Sequence, residues 1–269
     1  MGTPGYLHVS SYLRAKEATA KKNDTSQGHT QRRGDQQDKP KPPADNRYQP
    51  VAHSEEGSGT VVFRFLFDAS GSMKGQYSYL QEMMRDVAVP GIKGIEKRVR
   101  KCVRVACSLF SNDISSVWLG YRAPDQIGGN PLPDDAFKAP GLGGCTALYS
   151  SILSSLTDLE QSLRFYSRKG TVSGKFLVLT DGAEYSNSGL TPQDVYKRLA
   201  KYKEGTLIES VLVYFETGDS VSQGTIEKLA KDMGFSTFWY FGSDDPLAMR
   251  QRKFRNELNL FSSRLDKKS

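Results

Sequence analysis

Apolar residues are distributed along the chain in two regimes. From Lys21 to Pro43 there is not one, only Lys, Arg, Asp, Gln, Gly, Ser, Thr, Asn, His and Pro. Such a stretch cannot offset its ordering entropy by burial, so a disordered tail is expected there. Beyond residue 60 short apolar runs alternate with longer amphipathic ones. Val61–Phe67 (VVFRFLF) is almost continuously apolar, as a strand covered on both faces must be. Val103–Phe110, Val117–Tyr121, Phe176–Thr180, Ser210–Phe215 and Thr237–Phe241 repeat the pattern.

Helical spacing fills most of the intervals. Tyr77–Val89 is expected to end at Pro90, with a second helix over Ile92–Lys101. Ala147–Phe165 carries Leu148, Ile152, Leu156, Leu159 and Leu163 on one stripe. Thr191-Pro192-Gln193-Asp194 reads as a helix start, with Gly205 beyond its end. Ser222 is placed to cap Thr225–Met233, and Gly234 to stop it. The last helix, Pro246–Leu265, is expected to bury Leu247, Phe254, Leu258, Phe261 and Leu265 and to expose Arg250, Arg252, Lys253, Arg255 and Arg264.

Strands alternating with helices predict an α/β fold: a doubly wound, mainly parallel six-stranded sheet with helices on both faces. Val103–Phe110 and Val117–Tyr121 have no helix between them, so one antiparallel edge strand is expected. The domain should span 60–265, behind a tail over 1–59 and before a short end at 266–269. Within the tail, Tyr6–Ala20 is a short apolar segment on a long tether and reads as a docking peptide.

Composition removes several classes of function. All three histidines fall in the first 53 residues, so every Ser-His-Asp, Cys-His or histidine-ligated zinc scheme is excluded from the folded part. No apolar run approaches the roughly 18 residues of a membrane span, and no apolar leader opens the chain, so no membrane attachment is expected. Cys102, Cys107 and Cys145 lack metal-site spacing and read as reduced thiols of a cytoplasmic protein. The net charge of +7 is concentrated. Residues 91–104 set six bases against Glu96, and residues 246–269 set seven against Glu257 and Asp266.

In a doubly wound sheet, function collects at the carboxyl ends of the strands. Three loops should meet there: Asp68-Ala69-Ser70-Gly71-Ser72 after the first strand, Gly143-Gly144-Cys145-Thr146 before the long helix, and Thr180-Asp181-Gly182 after the fourth strand. Alone, Asp68 reads as a turn acid, Ser72 and Thr146 as helix caps, and Asp181-Gly182 as an ordinary turn. Together, Asp68, Ser70, Ser72, Thr146 and Asp181 bring two carboxylates and three hydroxyls to one edge. Oxygen-only ligation selects a hard cation, Mg²⁺ before Mn²⁺ or Ca²⁺.

Asp-x-Ser-x-Ser after a strand, Gly-Gly-x-Thr-Ala-Leu and Leu-Thr-Asp-Gly together resemble a von Willebrand factor A (vWA) domain with its metal-ion-dependent adhesion site. The resemblance covers about Thr60–Leu265. It implies a Rossmann-like vWA fold in which Ser70 and Ser72 ligate Mg²⁺, Thr146 does so directly or through a water, and Asp68 and Asp181 act mostly through waters. It also implies a non-enzymatic module whose ion is completed by an Asp or Glu of a protein partner, as an adaptor in an assembly such as an AAA+ ATPase-linked stress or defence system. A hydrolase of the haloacid-dehalogenase kind would need a second Asp where Ser70 stands. Binding of nucleic acid through 91–104 and 246–269 is the other reading, set against two merely solvated helix faces.

Overall fold

The computed structural model describes residues 59–263 except 100, 140, 169, 183, 203–206 and 218–221. The expected tail, its segment 6–20, Gly205, Arg264, Leu265 and the end at 266–269 lie outside the described residues.

Six strands form one sheet in the order β3-β2-β1-β4-β5-β6, with β1 Thr60–Asp68, β2 Cys102–Phe110, β3 Ile114–Ser116, β4 Val172–Thr180, β5 Ile208–Phe215 and β6 Thr237–Phe241. Every pairing is parallel except β2 with β3. The antiparallel edge strand exists, but at Ile114–Ser116 rather than Val117–Tyr121. The latter stretch touches β2 through the Val117 N–H on Cys107 O at 3.0 Å, and just beyond it Arg122 bridges Val105. The apolar residues there serve another purpose, for Trp118 is buried with its indole N–H on Pro131 O at 2.8 Å.

Between β1 and β2 runs one nearly continuous rod. A 3₁₀ turn over Ser72–Gln76 leads into α1 (Tyr77–Met83), a π turn over Met84–Ala88, and α2 (Val89–Val99). Pro90 therefore does not end the helix. The Val89 N–H reaches back to Met84 O, and this wider turn carries the chain past the residue that has no N–H to give. The remaining helices are α3 (Leu148–Ser167), α4 (Pro192–Leu199), α5 (Gln223–Asp232) and α6 (Leu247–Ser263). The α4 start is a capping box, with Asp194 Oδ2 accepting from both the amide and the hydroxyl of Thr191.

Because β1 is central and buried along its whole length, its alternate residues feed two cores. Phe63, Phe65 and Phe67 join Leu80, Met84, Ile92, Phe254, Leu258 and Phe261 on the α1, α2 and α6 face. Val62 and Leu66 join Leu148, Ile152, Leu156, Val195 and Ile226 on the α3, α4 and α5 face. Two expectations for α6 are reversed: Leu247 is 44% exposed, whereas Arg250 is buried at 8%. The Arg250 guanidinium is held by Ser243 O at 2.7 Å and Gln76 Oε1 at 3.3 Å. No described helix is long and apolar enough to cross a membrane.

Candidate metal centre

The strand order reverses between β1 and β4, both of which deliver their last residues to the same edge. At such a switch point the following loops diverge to opposite faces and leave a crevice between them. Here that crevice is a cavity of about 390 Å³ lined by Ser70, Ser72, Thr146, Asp181, Tyr185 and Thr217 together with loop glycines and Cys145.

The Asp68 loop is fixed first. The Ser70 N–H bonds Asp68 Oδ1 at 2.8 Å, and the Thr180 hydroxyl bonds Asp68 Oδ2 at 2.6 Å. Asp68 is therefore wholly enclosed behind the cavity wall rather than in it. Burial raises its pKa to about 6, against the lowering effect of those hydrogen bonds. The Tyr77 hydroxyl braces the same loop from below, donating to Ala69 O at 2.9 Å while its ring stacks on Phe137 at 4.0 Å.

The hydroxyls follow. Ser70 Oγ and Ser72 Oγ stand 3.1 Å apart, and the Ser72 hydroxyl donates to Asp181 Oδ1 at 3.0 Å. Ser72 begins a 3₁₀ turn whose cap position is Gly71. Asp181 takes a second hydrogen bond from the Thr217 hydroxyl at 3.2 Å on Oδ2, and burial raises its pKa as well. Three strand exits thus meet on one carboxylate: β1 through Ser72, β4 through Asp181 itself, and β5 through Thr217.

Thr146 lines the same cavity from the opposite loop and is 4% exposed. It does not cap α3. Ala147 occupies the cap position, and the Tyr149 N–H is taken by Glu184 Oε2 at 2.6 Å from the loop after β4. The Thr146 side chain hydrogen-bonds none of the other four predicted residues, although its carbonyl accepts the Tyr185 N–H at 2.9 Å. Its loop is sewn to the Asp68 loop by Gly143 N–H to Ala69 O at 2.9 Å and Gly71 N–H to Gly144 O at 3.3 Å. Gly143 makes the approach at φ +80°, a conformation that strains any residue with a Cβ.

All five predicted residues therefore converge on one edge: Ser70, Ser72 and Asp181 as a hydrogen-bonded row, Thr146 across the cavity, and Asp68 behind it. Sequence reading missed Thr217, Thr180, Tyr77 and Glu184. Thr180 stood within the quoted Leu-Thr-Asp-Gly and could have been singled out; Thr217 lies in a loop with no pattern of its own.

Among the described residues no three His, Cys, Asp or Glu side chains gather as a ready metal cluster. An ion here would rest on hydroxyls, so the donor chemistry decides the fit. An octahedral shell of Mg²⁺–oxygen bonds at ~2.0–2.1 Å places neighbouring ligand oxygens about 2.9 Å apart. The Ser70–Ser72 separation of 3.1 Å is close to that edge length. Two carboxylates are held at raised pKa, and among the described residues no Lys or Arg lines the cavity to balance them. These residues fit a hard divalent cation.

No protein-family profile and no curated protein matches the chain. Solved structures do. The D319A mutant of the PilB minor pilin from Streptococcus sanguinis is similar at a TM-score of 0.53 and 15% identity, over 79% of this chain and 64% of that one. The pilus adhesin SpaC from Lactobacillus rhamnosus GG, in an open conformation, is similar at 0.53 and 14% identity, over 81% of this chain and 31% of that one. A von Willebrand factor type A protein from Catenulispora acidiphila aligns at 0.48 and 15% identity, over 77% of this chain and 43% of that one. This chain thus spans just under two-thirds of the pilin and about a third of the adhesin. At these identities the likeness is one of fold. The six-stranded sheet with its single antiparallel edge strand is a Rossmann-like, vWA-type fold.

Proposed function

We propose that the chain is a non-enzymatic protein-interaction module whose carboxyl-edge cavity holds Mg²⁺, with Ser70, Ser72 and Thr146 as hydroxyl ligands and Asp68 and Asp181 orienting them. The observation that carries the reading is the Ser70–Ser72–Asp181 row opening into a cavity with Thr146 on its far wall. A bound divalent ion supplies one thing there, an electrophilic centre that neutral hydroxyls leave under-neutralised. The chain's residues do the rest: Asp181 fixes the Ser72 hydroxyl, Asp68 fixes the Ser70 amide, and the open cavity admits an Asp or Glu from a partner. Mn²⁺ or Ca²⁺ would substitute.

An enzymatic use is disfavoured by the same residues. Ser70 stands where a dehalogenase-type phosphatase needs its second aspartate, and no histidine or lysine lines the cavity as a base. The pilin and the pilus adhesin of similar fold are surface-assembly proteins by name. For this chain we infer an adaptor of a cytoplasmic assembly, of the kind built around AAA+ ATPases; the support is the resemblance of its motifs. The test is capture of partners from lysate in Mg²⁺ against EDTA, with Asp68→Ala and Thr146→Ala as controls. Capture lost with chelator and with both variants supports the clasp. Capture that survives all three places the interface elsewhere.

A further inference from the structure

The two basic segments of the sequence come together in the fold. α2 and α6 lie side by side on one face of the sheet, and Leu258 Cδ2 comes within 3.2 Å of where a side chain on Gly91 would begin. Their buried sides share one core, so both turn their outward sides to solvent on the same face of the sheet. Folding also trims the basic set. Arg104 is buried in β2, Arg250 is buried at the start of α6, and Lys253 lies over the Tyr240 and Phe241 rings. What remains outward is Lys97 and Arg98 on α2, and Arg252, Arg255, Asn256 and Asn259 on α6, all exposed.

These cations differ from those of α4 and α5. Lys197, Arg198, Lys228 and Lys231 each hold a carboxylate within 4 Å. Lys97, Arg98, Arg252 and Arg255 hold none among the described residues. Two acids of the rod that contains α2 are engaged: Asp86 with Arg85, and Glu96 on the Val103 N–H at 3.2 Å. Glu257 sits on the other flank of α6, beside Lys253 and the β6 edge. Helix surfaces normally distribute such charges in pairs, and an unpaired cationic row interleaved with amides asks for a polyanion.

We infer that the α2–α6 surface binds duplex nucleic acid through its phosphate backbone, as an activity separate from the metal centre. Guanidinium forks and carboxamides match the geometry of phosphate oxygens. None of the six outward residues is aromatic, so no platform exists for an unstacked base, and a duplex fits better than a single strand. The exposed apolar residues of α6, Met249 and Leu260, stand near opposite ends of the helix instead of gathering as a lipid anchor would require. Recognition is therefore of charge and spacing, without sequence preference.

The test is fluorescence anisotropy of the full chain with a labelled duplex of about 24 base pairs, titrated in NaCl with EDTA present. Four phosphate contacts predict a slope of log K against log salt near −3.6, so that affinity falls about 150-fold between 50 and 200 mM. Arg252→Glu/Arg255→Glu should abolish binding at 100 mM NaCl with an unchanged circular dichroism spectrum. Lys228→Glu/Lys231→Glu, the same charge change on α5, should retain it. Equal loss in both charge-reversal variants would reduce the effect to net charge and overturn the assignment. So would the absence of binding at 50 mM NaCl, or tighter binding to phosphatidylserine vesicles or polyglutamate than to the duplex.

Discussion

Thr180, the last residue of β4, gives its hydroxyl to Asp68 Oδ2 at 2.6 Å, joining the ends of two strands that pair in register from Thr60 to Phe67. The bond satisfies one oxygen of a fully buried carboxylate and sets the back wall of the carboxyl-edge cavity. Thr180→Val, which keeps the shape and removes the donor, is expected to destabilise the fold by about 1–3 kcal/mol. Thr180→Ser should restore most of that. Urea unfolding in EDTA measures both, and equal stability of all three proteins would contradict the role.

Asp68 carries a pH dependence whose sign can be worked out. Its pKa rises from 3.8 unfolded to about 6 folded because burial penalises the charge. A raised acid stabilises the fold fully below the unfolded value, and that contribution is lost as pH rises through about 6. In EDTA, Asp68→Asn is therefore expected to be more stable than the parent at pH 7.5, by up to about 3 kcal/mol, and the gain should vanish towards pH 4. Saturating Mg²⁺ should reverse the order at pH 7.5, since only the carboxylate form profits from a nearby cation. Thermal melts across pH with and without Mg²⁺ check this, and a gain that grows as pH falls would refute it.

Tyr77 offers a test of loop support. Its hydroxyl reaches Ala69 O and Ser70 O, at 2.9 and 3.3 Å, without entering the cavity. Tyr77→Phe keeps the stack on Phe137 and should cost about 1 kcal/mol in stability. Mg²⁺ affinity should fall several-fold, because the Ser70 loop loses its brace. Calorimetric titration with unchanged Mg²⁺ affinity would make Tyr77 a packing residue only.

Much of this architecture was legible in the sequence because strands buried on both faces must be apolar throughout. Val61–Phe67, Phe176–Thr180 and Ser210–Phe215 fall inside β1, β4 and β5 for that reason. The exceptions have local causes. Val117–Tyr121 looked like a strand, but Trp118 is buried to reach Pro131 O. Pro90 looked like a stop, but a π turn absorbs it. Arg250 looked like solvent-facing charge, but Ser243 O and Gln76 Oε1 give it a buried berth. Hydrophobic periodicity cannot register a partner supplied from 174 residues away, as Gln76 is.

The residues proposed for the metal were legible for a different reason. Asp68, Ser70 and Ser72 sit within five positions of one strand exit, and Asp181 directly follows β4. Whether Ser72 and Thr146 cap helices or face a ligand could not be read from spacing. The fold answers through other residues: Asp181 accepts the Ser72 hydroxyl, and Glu184 takes over the start of α3.

The most direct measurement is electron paramagnetic resonance and water-proton relaxation of the full chain titrated with Mn²⁺. The account predicts one bound ion per chain, displaced by Mg²⁺, absent in Ser70→Ala/Ser72→Ala, and retaining an exchangeable water that a carboxylate ligand removes. No bound ion, or an ion whose every position is already filled by the chain, would contradict it.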